Sequence, residues 1–348
     1  MPIQSDIVVD PRSFYSSATS EEVQKMNKVL EGYTVDSVNW YDVGAPMYRE
    51  LHEAGETWLP KPVYLPEAQE DTIPSREPGR RIPIRLYKPD NGAPPKAVLM
   101  FLHGGGWVLG SHKHHDSHLR RYANACQVLC ISVGYRLAPE HPYPAAPDDC
   151  LDAATYLADH AVPQYGAPLR FVAGESAGST LAVLAAFHLL RERPAHRLAG
   201  LVLTYGCYDL SLSLPSMRST STRPLGLTRD SLEHLRDAYL PNQKTCEQKR
   251  DPRISPLYAD MQTLAQKSAT GKLPAALFLC GTEDFLLDDT LFMGVKWQAA
   301  SAGSEAVAKI YPGCAHGFDA LHGTREADEA NRFTLEFVNE KLGDALRE

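Results

Sequence analysis

Short, wholly apolar segments recur along most of the chain and alternate with segments of helical periodicity. The apolar segments, each a predicted strand, are Ala97–Leu102, Val128–Val133, Leu169–Ala173, Leu198–Thr204, Ala275–Cys280 and Val307–Tyr311. The predicted helices that follow them are Asp116–Ala125, Pro147–His160, Ser176–Arg191, Leu287–Ala302 and Arg325–Leu346. Strands that are apolar throughout are buried on both faces, which is typical of a parallel sheet between two helical layers. The pattern predicts the α/β class.

Two regions fall outside this alternation and are predicted to form a helical cap. The first 60 residues have helical spacing, with a capping-box sequence at residues 19–22 and a second amphipathic segment from Val38 to Ala54. Residues 205–274 contain no strong strand, and a long insertion of this kind is often a lid. We predict cap segments at 1–60 and 205–256, and a main α/β domain formed by 61–204 and 257–348.

Composition excludes several classes of protein. The chain has 348 residues, 43% of them hydrophobic, and a formal net charge of −8, which argues against a nucleic-acid partner and against an anionic membrane surface. The apolar run Leu181–Leu190 is too short for a membrane span, which needs about 20 residues. The seven cysteines are scattered without a CxxC pair, and we predict reduced cysteines in a cytoplasmic protein.

The sequence Gly-Glu-Ser-Ala-Gly at residues 174–178 lies between a predicted strand and a predicted helix. This is the strand–turn–helix context of a G-x-S-x-G nucleophile elbow. The turn is so tight that side chains two residues on either side of the serine would collide, and glycine avoids that collision. The pattern predicts that Ser176 is a nucleophile at the N-terminus of a helix, where developing negative charge is favoured.

A glycine-rich loop, His-Gly-Gly-Gly-Trp at residues 103–107, directly follows the predicted strand Ala97–Leu102. Consecutive glycines allow several backbone N–H groups to point at one developing negative charge. We predict an oxyanion hole formed by the N–H groups of Gly104, Gly105 and Ala177. The alternative, a phosphate-binding loop, lacks both the GxGxxG spacing and the Lys-Ser/Thr pair of a P-loop.

Four motifs in order give the chain a resemblance to the hormone-sensitive-lipase-like branch of the α/β-hydrolases, a family of carboxylesterases. They are HGGGW at 103–107, YRLAPEHPYPA at 135–145, GESAG at 174–178 and AHGF at 315–318. The resemblance covers residues 80–340 and implies an α/β-hydrolase fold, with a mostly parallel eight-stranded sheet, flanking helices and a helical cap. The chain departs from the family at Glu175, where Asp is usual, and at Phe285, where Pro is usual.

A serine nucleophile needs a base, and the base needs an orienting acid, in the chain order Ser, Asp or Glu, His. His316 and His322 are the histidines that lie beyond residue 234, and His316 directly follows a predicted strand. We predict His316 as the base, because α/β sheets place their sites at the carboxyl ends of strands. Asp284 lies at the family's acid position after the strand Ala275–Cys280, and we predict it as the orienting acid.

These residues predict a serine carboxylesterase that hydrolyses small to medium acyl esters through an acyl-enzyme. Two alternatives remain open on the same triad: a pathway-specific tailoring hydrolase (a deacetylase or lactonase), and an amidase or formamidase. We expect a small ester as substrate, and neither a metal nor a cofactor in the reaction. A ligand-binding protein on the same scaffold is disfavoured, because such relatives lose the catalytic histidine.

Further expectations concern substrate contacts and assembly. Trp107, Glu175 and Phe285 are predicted to contact the substrate. The histidines at 112, 114, 115 and 118 are interpreted as a solvated loop rather than a metal site, since no HExxH sequence accompanies them. The family resemblance implies a homodimer through the last helix and strand.

Overall fold

A computed structural model describes residues 8–218, 223–320 and 323–347 of the chain. Its centre is one eight-stranded sheet in the order β1-β2-β4-β3-β5-β6-β7-β8. The strands are β1 Gln69–Pro74, β2 Arg81–Tyr87, β3 Ala97–Leu102, β4 Val128–Val133, β5 Leu169–Glu175, β6 Gly200–Thr204, β7 Ala275–Gly281 and β8 Ala306–Tyr311. β1 and β2 pair in antiparallel fashion, as do β2 and β4, and the other neighbours are parallel. The predicted α/β-hydrolase architecture is confirmed.

Sequence patterning did not predict β1, at the edge of the sheet. Its sequence, Gln-Glu-Asp-Thr-Ile-Pro, is mainly polar, and Ile73 is its one fully buried residue. An edge strand is exposed on most sides, and it forms here because its backbone pairs with β2 from Gln69 opposite Leu86 to Pro74 opposite Arg81. A strand held mainly by backbone pairing does not need apolar side chains, so its sequence lacks the apolar pattern from which the other strands are predicted.

Helices cover both faces of the sheet and form the cap. They are α1 Glu21–Asp36, α2 Trp40–Val43, α3 Ala45–Ala54, α4 Asp116–Cys126, α5 Ala145–Tyr165, α6 Ala177–Glu192, α7 Arg229–Tyr239, α8 Cys246–Lys249, α9 Met261–Lys267, α10 Leu287–Gln298 and α11 Arg325–Arg347. The amphipathic segment predicted as one unit from Val38 to Ala54 is two helices. Gly44 separates them with φ +86°, a backbone conformation outside the helical region that glycine adopts without strain.

The central strands bury both faces, as their uniformly apolar sequences predict. In β3, Val98 and Met100 belong to the apolar core on one side of the sheet, and Leu99 and Phe101 belong to the core on the other side. All four side chains are 2% exposed or less. This alternation places the carboxyl ends of β3 and β5 in the middle of the molecule, between the two helical layers.

The N-terminal helices and the 205–274 insertion contact each other directly. The Tyr41 hydroxyl donates to Asp230 Oδ2 at 2.7 Å, and the Tyr41 ring stacks on His234 with ring centroids 3.9 Å apart. The Gly226 N–H donates to Thr34 Oγ1 at 2.9 Å. The two sequence regions outside the sheet are therefore in contact, and their assignment to a split cap stays a prediction. No helix in the described part of the chain is long and apolar enough to cross a membrane.

A buried carboxylate ties the YRLAPEHPYPA segment to the sheet. Asp149, in α5, is fully buried and accepts hydrogen bonds from the Arg136 backbone N–H at 3.0 Å and from the Arg136 guanidinium at 3.0 and 3.1 Å. Arg80, just before β2, forms a second ion pair with the same carboxylate. A buried charge without partners is destabilising. Loss of the Asp149 carboxylate would therefore weaken the link between the YRLAPEHPYPA segment and the sheet.

We expect Asp149→Asn to lower the free energy of unfolding by about 3 kcal/mol, since it leaves two arginines without their buried counter-charge. The measurement is the midpoint of urea unfolding, monitored by circular dichroism. Asp159→Asn is the matched control. Its ion pair with Arg193 is 35% and 39% exposed, and loss of such a pair costs less than about 1 kcal/mol. Equal losses in the two variants would contradict a bracing role for Asp149.

Candidate active site

The turn after β5 holds Ser176 in a strained backbone conformation. Ser176 has φ +51° and ψ −120°, and its N–H donates to Thr204 O at 2.9 Å. A Cβ atom at Gly174 would lie 2.3 Å from Gly178 O, and one at Gly178 would lie 2.0 Å from Leu102 O. Both distances are far below van der Waals contact, so glycine is required at both positions. The strain is that of a nucleophile elbow, and it projects the serine hydroxyl above the sheet.

Three side chains predicted from sequence form one hydrogen-bonded chain. His316 Nε2 lies 2.9 Å from Ser176 Oγ, and His316 Nδ1 lies 2.7 Å from Asp284 Oδ2. The Asp284 side chain is fully buried, and the Leu286 N–H donates to its other oxygen, Oδ1, at 2.9 Å. The imidazole is thus placed between a hydroxyl and a carboxylate, as in a Ser-His-Asp triad.

The loops that carry the acid and the histidine are joined backbone to backbone. The Glu283 N–H donates to Cys314 O at 3.0 Å, and the Gly313 N–H donates to Thr282 Oγ1 at 2.8 Å. A Cβ atom at Gly281 would lie 2.0 Å from Cys314 O. Because β7 and β8 are parallel neighbours, their carboxyl ends lie side by side and bring Asp284 and His316 together.

The glycine loop differs in one donor from the prediction. The Gly104 N–H, predicted to face an oxyanion, donates to Glu175 Oε1 at 3.2 Å and is therefore engaged. Among the described residues, the structure records no acceptor for the N–H groups of Gly105, Gly106 or Ala177. Gly105 and Gly106 have φ values of +105° and +62°, which glycine adopts readily. The free donors are one residue further along the loop than predicted.

The three predicted substrate contacts have different environments. Trp107 is 1% exposed and stacks on Tyr239 with ring centroids 4.7 Å apart, so its ring is part of the core and offers no face to a ligand. Glu175 Oε1 is occupied by Gly104 and by His115. Phe285 is partly buried against the core beside Asp284 and remains a candidate contact. Contacts of all three residues with the substrate stay predictions.

His103, at the start of the glycine loop, is a neutral brace. It is 1% exposed, its Nδ1 lies 2.7 Å from Gly104 O, and its ring stacks on Tyr135 at 4.2 Å. Burial lowers the pKa of His103 to about 3. The Tyr135 hydroxyl donates to His103 O at 2.6 Å, which links the YRLAPEHPYPA segment to the glycine loop.

The histidines after the glycine loop are not a solvated run, so that interpretation was wrong. His114 and His115 face carboxylates of different elements: His114 Nε2 lies 2.8 Å from Glu53 in α3, and His115 Nε2 lies 2.5 Å from Glu175. Their side chains are 11% and 20% exposed. No cluster of potential metal ligands occurs among residues 8–218, 223–320 and 323–347. His322, the alternative base, lies outside the described residues.

Sequence reasoning missed a partly buried pair behind His316. The Tyr205 ring packs on the His316 ring with centroids 4.5 Å apart, and the Tyr205 hydroxyl donates to Asp319 Oδ1 at 2.9 Å. Burial and the nearby charge of Glu175 raise the pKa of Asp319 to about 6. The only signal was proximity, since Asp319 follows His316 by three residues.

Two side chains of the N-terminal helices reach the active-site loops. Asn27 Nδ2 in α1 donates to Gly313 O at 2.8 Å, next to the histidine loop. Arg49 in α3 donates to Val108 O and Ala138 O and pairs with Glu140 at 2.8 Å. The N-terminal segment therefore contacts both the histidine loop and the glycine loop.

The fold and the site define an α/β-hydrolase, and comparison with known proteins agrees. Residues 99–320 match the family described as alpha/beta hydrolase fold. An ethyl acetate hydrolase from Pseudomonas putida is 33% identical over 287 residues, 80% of this chain and 84% of that protein. The chain belongs to the hormone-sensitive-lipase-like family of α/β-hydrolase carboxylesterases and is a carboxylic ester hydrolase.

Solved structures show the same fold. A hyperthermophilic esterase from the archaeon Pyrobaculum calidifontis has a TM-score of 0.77 and 29% identity, over 92% of this chain and 98% of that one. A thermostable esterase from Pseudomonas putida has a TM-score of 0.79 at 23% identity, over 93% of this chain and 98% of that one.

We expect Asp284→Asn to lower kcat by about 10³- to 10⁴-fold. The Leu286 N–H would recruit the amide oxygen of the asparagine, so the amide nitrogen would face His316 Nδ1. That donor forces the imidazole proton onto Nε2, and the ring can no longer accept the Ser176 proton. The measurement is kcat on p-nitrophenyl acetate. Asp288→Asn, whose carboxylate accepts the Ser216 N–H instead, is the control. A loss of less than tenfold for Asp284→Asn would contradict this role.

Proposed function

We propose that the protein is a serine carboxylesterase acting on small to medium acyl esters through an acyl-enzyme. The observation that carries this proposal is the Asp284–His316–Ser176 hydrogen-bonded chain, with unengaged backbone amides beside the serine. Nucleophile, base and orienting acid are each within direct hydrogen-bond distance of the next group, which is the arrangement that covalent acyl transfer requires.

In the proposed reaction His316 Nε2 accepts the Ser176 proton as Oγ attacks the ester carbonyl. The carbonyl oxygen becomes an oxyanion, stabilised by the N–H groups of Gly105 and Ala177, with Gly106 in place of Gly104. His316 then gives the proton to the departing alcohol, and the C–O bond of the ester breaks. Water repeats the cycle on the acyl-enzyme and releases the acid. Asp284 keeps the imidazole tautomer correct and stabilises the imidazolium.

The split cap is proposed to limit substrate size. A Cβ atom at Gly106 would lie 2.5 Å from Leu235 Cδ1, so helix α7 of the insertion lies directly on the glycine loop. This restricted space supports short acyl groups, and the P. putida relative is named for hydrolysis of ethyl acetate. The domain limits 1–60, 61–204, 205–256 and 257–348 belong to this proposal. Cytoplasmic location and a homodimer stay predictions.

The triad does not distinguish esters from lactones, acetylated metabolites or amides. A deacetylase, a lactonase and an amidase or formamidase would use the same three groups in the same order. Parallel assays with an acetyl ester, a lactone and the matching anilide separate them by kcat/KM. We expect the ester to be the best substrate of the three.

We expect Ser176→Ala to abolish ester hydrolysis and labelling by a fluorophosphonate, because Oγ is the attacking atom. The label on the wild-type protein should map to the peptide containing Ser176 by mass spectrometry. Ser117→Ala, an exposed serine in α4, is the matched control and should retain both properties. Full activity of Ser176→Ala on p-nitrophenyl acetate would refute the proposed function.

We expect kcat/KM for p-nitrophenyl esters to peak at short to medium acyl chains and to fall for long ones. Leu235→Ala removes the side chain that lies against Gly106, so it should move the optimum toward longer chains. Leu232→Ala, also buried in the same helix, is the control for a general loss of packing. A wild-type maximum at long acyl chains would contradict the size limit.

A further inference from the structure

The carboxylate next to the nucleophile bridges two parts of the site. Glu175 immediately precedes Ser176, and its Oε1 accepts the Gly104 N–H at 3.2 Å and contacts His115 Nε2 at 2.5 Å. Gly104 is the first glycine of the loop whose next two amides are unengaged. One oxygen atom therefore connects the elbow, the glycine loop and the segment that begins α4.

The Glu175–His115 contact is an ion pair screened from water. The two side chains are 19% and 20% exposed. Burial raises the pKa of the Glu175 carboxyl, but the His115 charge outweighs it and holds that pKa at about 2. Burial lowers the pKa of His115, and the charge of Glu175 raises it above its usual value. The charge of each group therefore favours the charged form of the other.

We propose that Glu175 is a positioning residue whose charged oxygen holds the Gly104 amide and thereby orients the oxyanion loop, with His115 as its buried counter-charge. The proposal rests on the proposed esterase function. The Gly104 N–H is engaged by Glu175, which leaves the amides of Gly105 and Gly106 as the unengaged donors of the loop. A carboxylate accepts such a hydrogen bond more strongly than a neutral group does.

The loop has little other freedom at this point. A Cβ atom at Gly104 would lie 3.2 Å from Glu175 Oε1, and one at Gly105 would lie 2.2 Å from Leu109 O. The glycine loop is therefore enclosed between the Glu175 side chain and its own following turn. A small movement of the oxyanion donors lowers the reaction rate strongly, because stabilisation of the transition state depends on their position.

Two substitutions of Glu175 separate charge from shape. Glu175→Gln keeps the length of the side chain and removes the charge, whereas Glu175→Asp keeps the charge and shortens the chain. We expect kcat to fall about 10- to 100-fold in Glu175→Gln, with KM within about twofold of wild type, and to be partly rescued in Glu175→Asp. A space-filling role predicts the opposite order, so Gln equal to or better than Asp would overturn the proposal.

A transition-state analogue gives a second readout. A trifluoromethyl ketone adds to Ser176 Oγ and places an oxyanion among the loop amides. In Glu175→Gln its Ki should rise by the same factor as kcat/KM falls. Glu53→Gln is the matched control, because Glu53 pairs with the neighbouring His114 but makes no recorded contact with the glycine loop. An unchanged Ki together with a reduced kcat would overturn an oxyanion-loop role.

The histidine is tested through the pH profile of kcat. Several titratable groups surround the Glu175–His115 pair and interact with its charges. They are Asp116 and His118 of α4, His103 and His114 beside the glycine loop, His52 of α3, Asp319 after the histidine loop, and the hydroxyls of Tyr135 and Tyr205. In His115→Gln the carboxyl loses its counter-charge and becomes protonated at a higher pH. The acid limb of kcat should therefore move up by about one pH unit. The double variant Glu175→Gln/His115→Gln should have the same acid limb as Glu175→Gln, because neither protein has the Glu175 carboxyl. If His115→Gln moves the acid limb equally in the wild-type and Glu175→Gln backgrounds, the pairing is refuted.

Failure of this proposal is distinguishable from failure of the esterase proposal. Glu175→Gln should still be labelled stoichiometrically at Ser176 by the fluorophosphonate, since the triad is intact. Retained activity in Ser176→Ala would instead overturn the function itself, whatever Glu175 does.

Discussion

The close backbone approach between the start of α6 and the end of β3 sets the geometry on which the site depends. A side chain at Gly178 would overlap Leu102 O, so the elbow and the strand that leads into the glycine loop are in direct backbone contact. Ser176 is therefore placed relative to the glycine loop by main-chain contact, and the Glu175 side chain then engages the Gly104 amide of that loop. The same kind of contact, between Gly281 and Cys314, joins the acid and histidine loops. Two backbone contacts thus fix the distances that catalysis requires.

The cap is attached to this framework through polar groups. Asn27 binds the carbonyl of Gly313, and Arg49 binds the carbonyls of Val108 and Ala138. Each donor satisfies backbone acceptors in the active-site loops. Hydrogen bonds of this kind have strict geometry, whereas apolar contacts tolerate sliding. The N-terminal helices therefore contribute to the position of the active-site loops as well as to the cover above them.

The sequence predicts those elements whose residue pattern directly reflects what their place in the fold requires. Uniformly apolar strands predict the parallel part of the sheet, and the glycines around Ser176 predict the elbow because no other residue fits there. The edge strand β1 was missed, since backbone pairing holds a polar sequence in place. The Gly104 donor was misassigned because its amide direction depends on Glu175, a contact between loops distant in the chain. Likewise, a run of histidines looks polar in sequence, and only the fold brings Glu53 and Glu175 to it.

The charge next to the nucleophile explains why a histidine is needed there. An unpaired carboxylate at Glu175 would lie one residue from the serine and would repel the oxyanion that forms on the substrate. Pairing with His115 removes that net charge while leaving the oxygen free to hold Gly104. Asp319 lies behind His316 and is joined to it through Tyr205. The two carboxylates therefore have different partners: Glu175 is paired with His115, whereas Asp319 accepts a hydrogen bond from the Tyr205 hydroxyl.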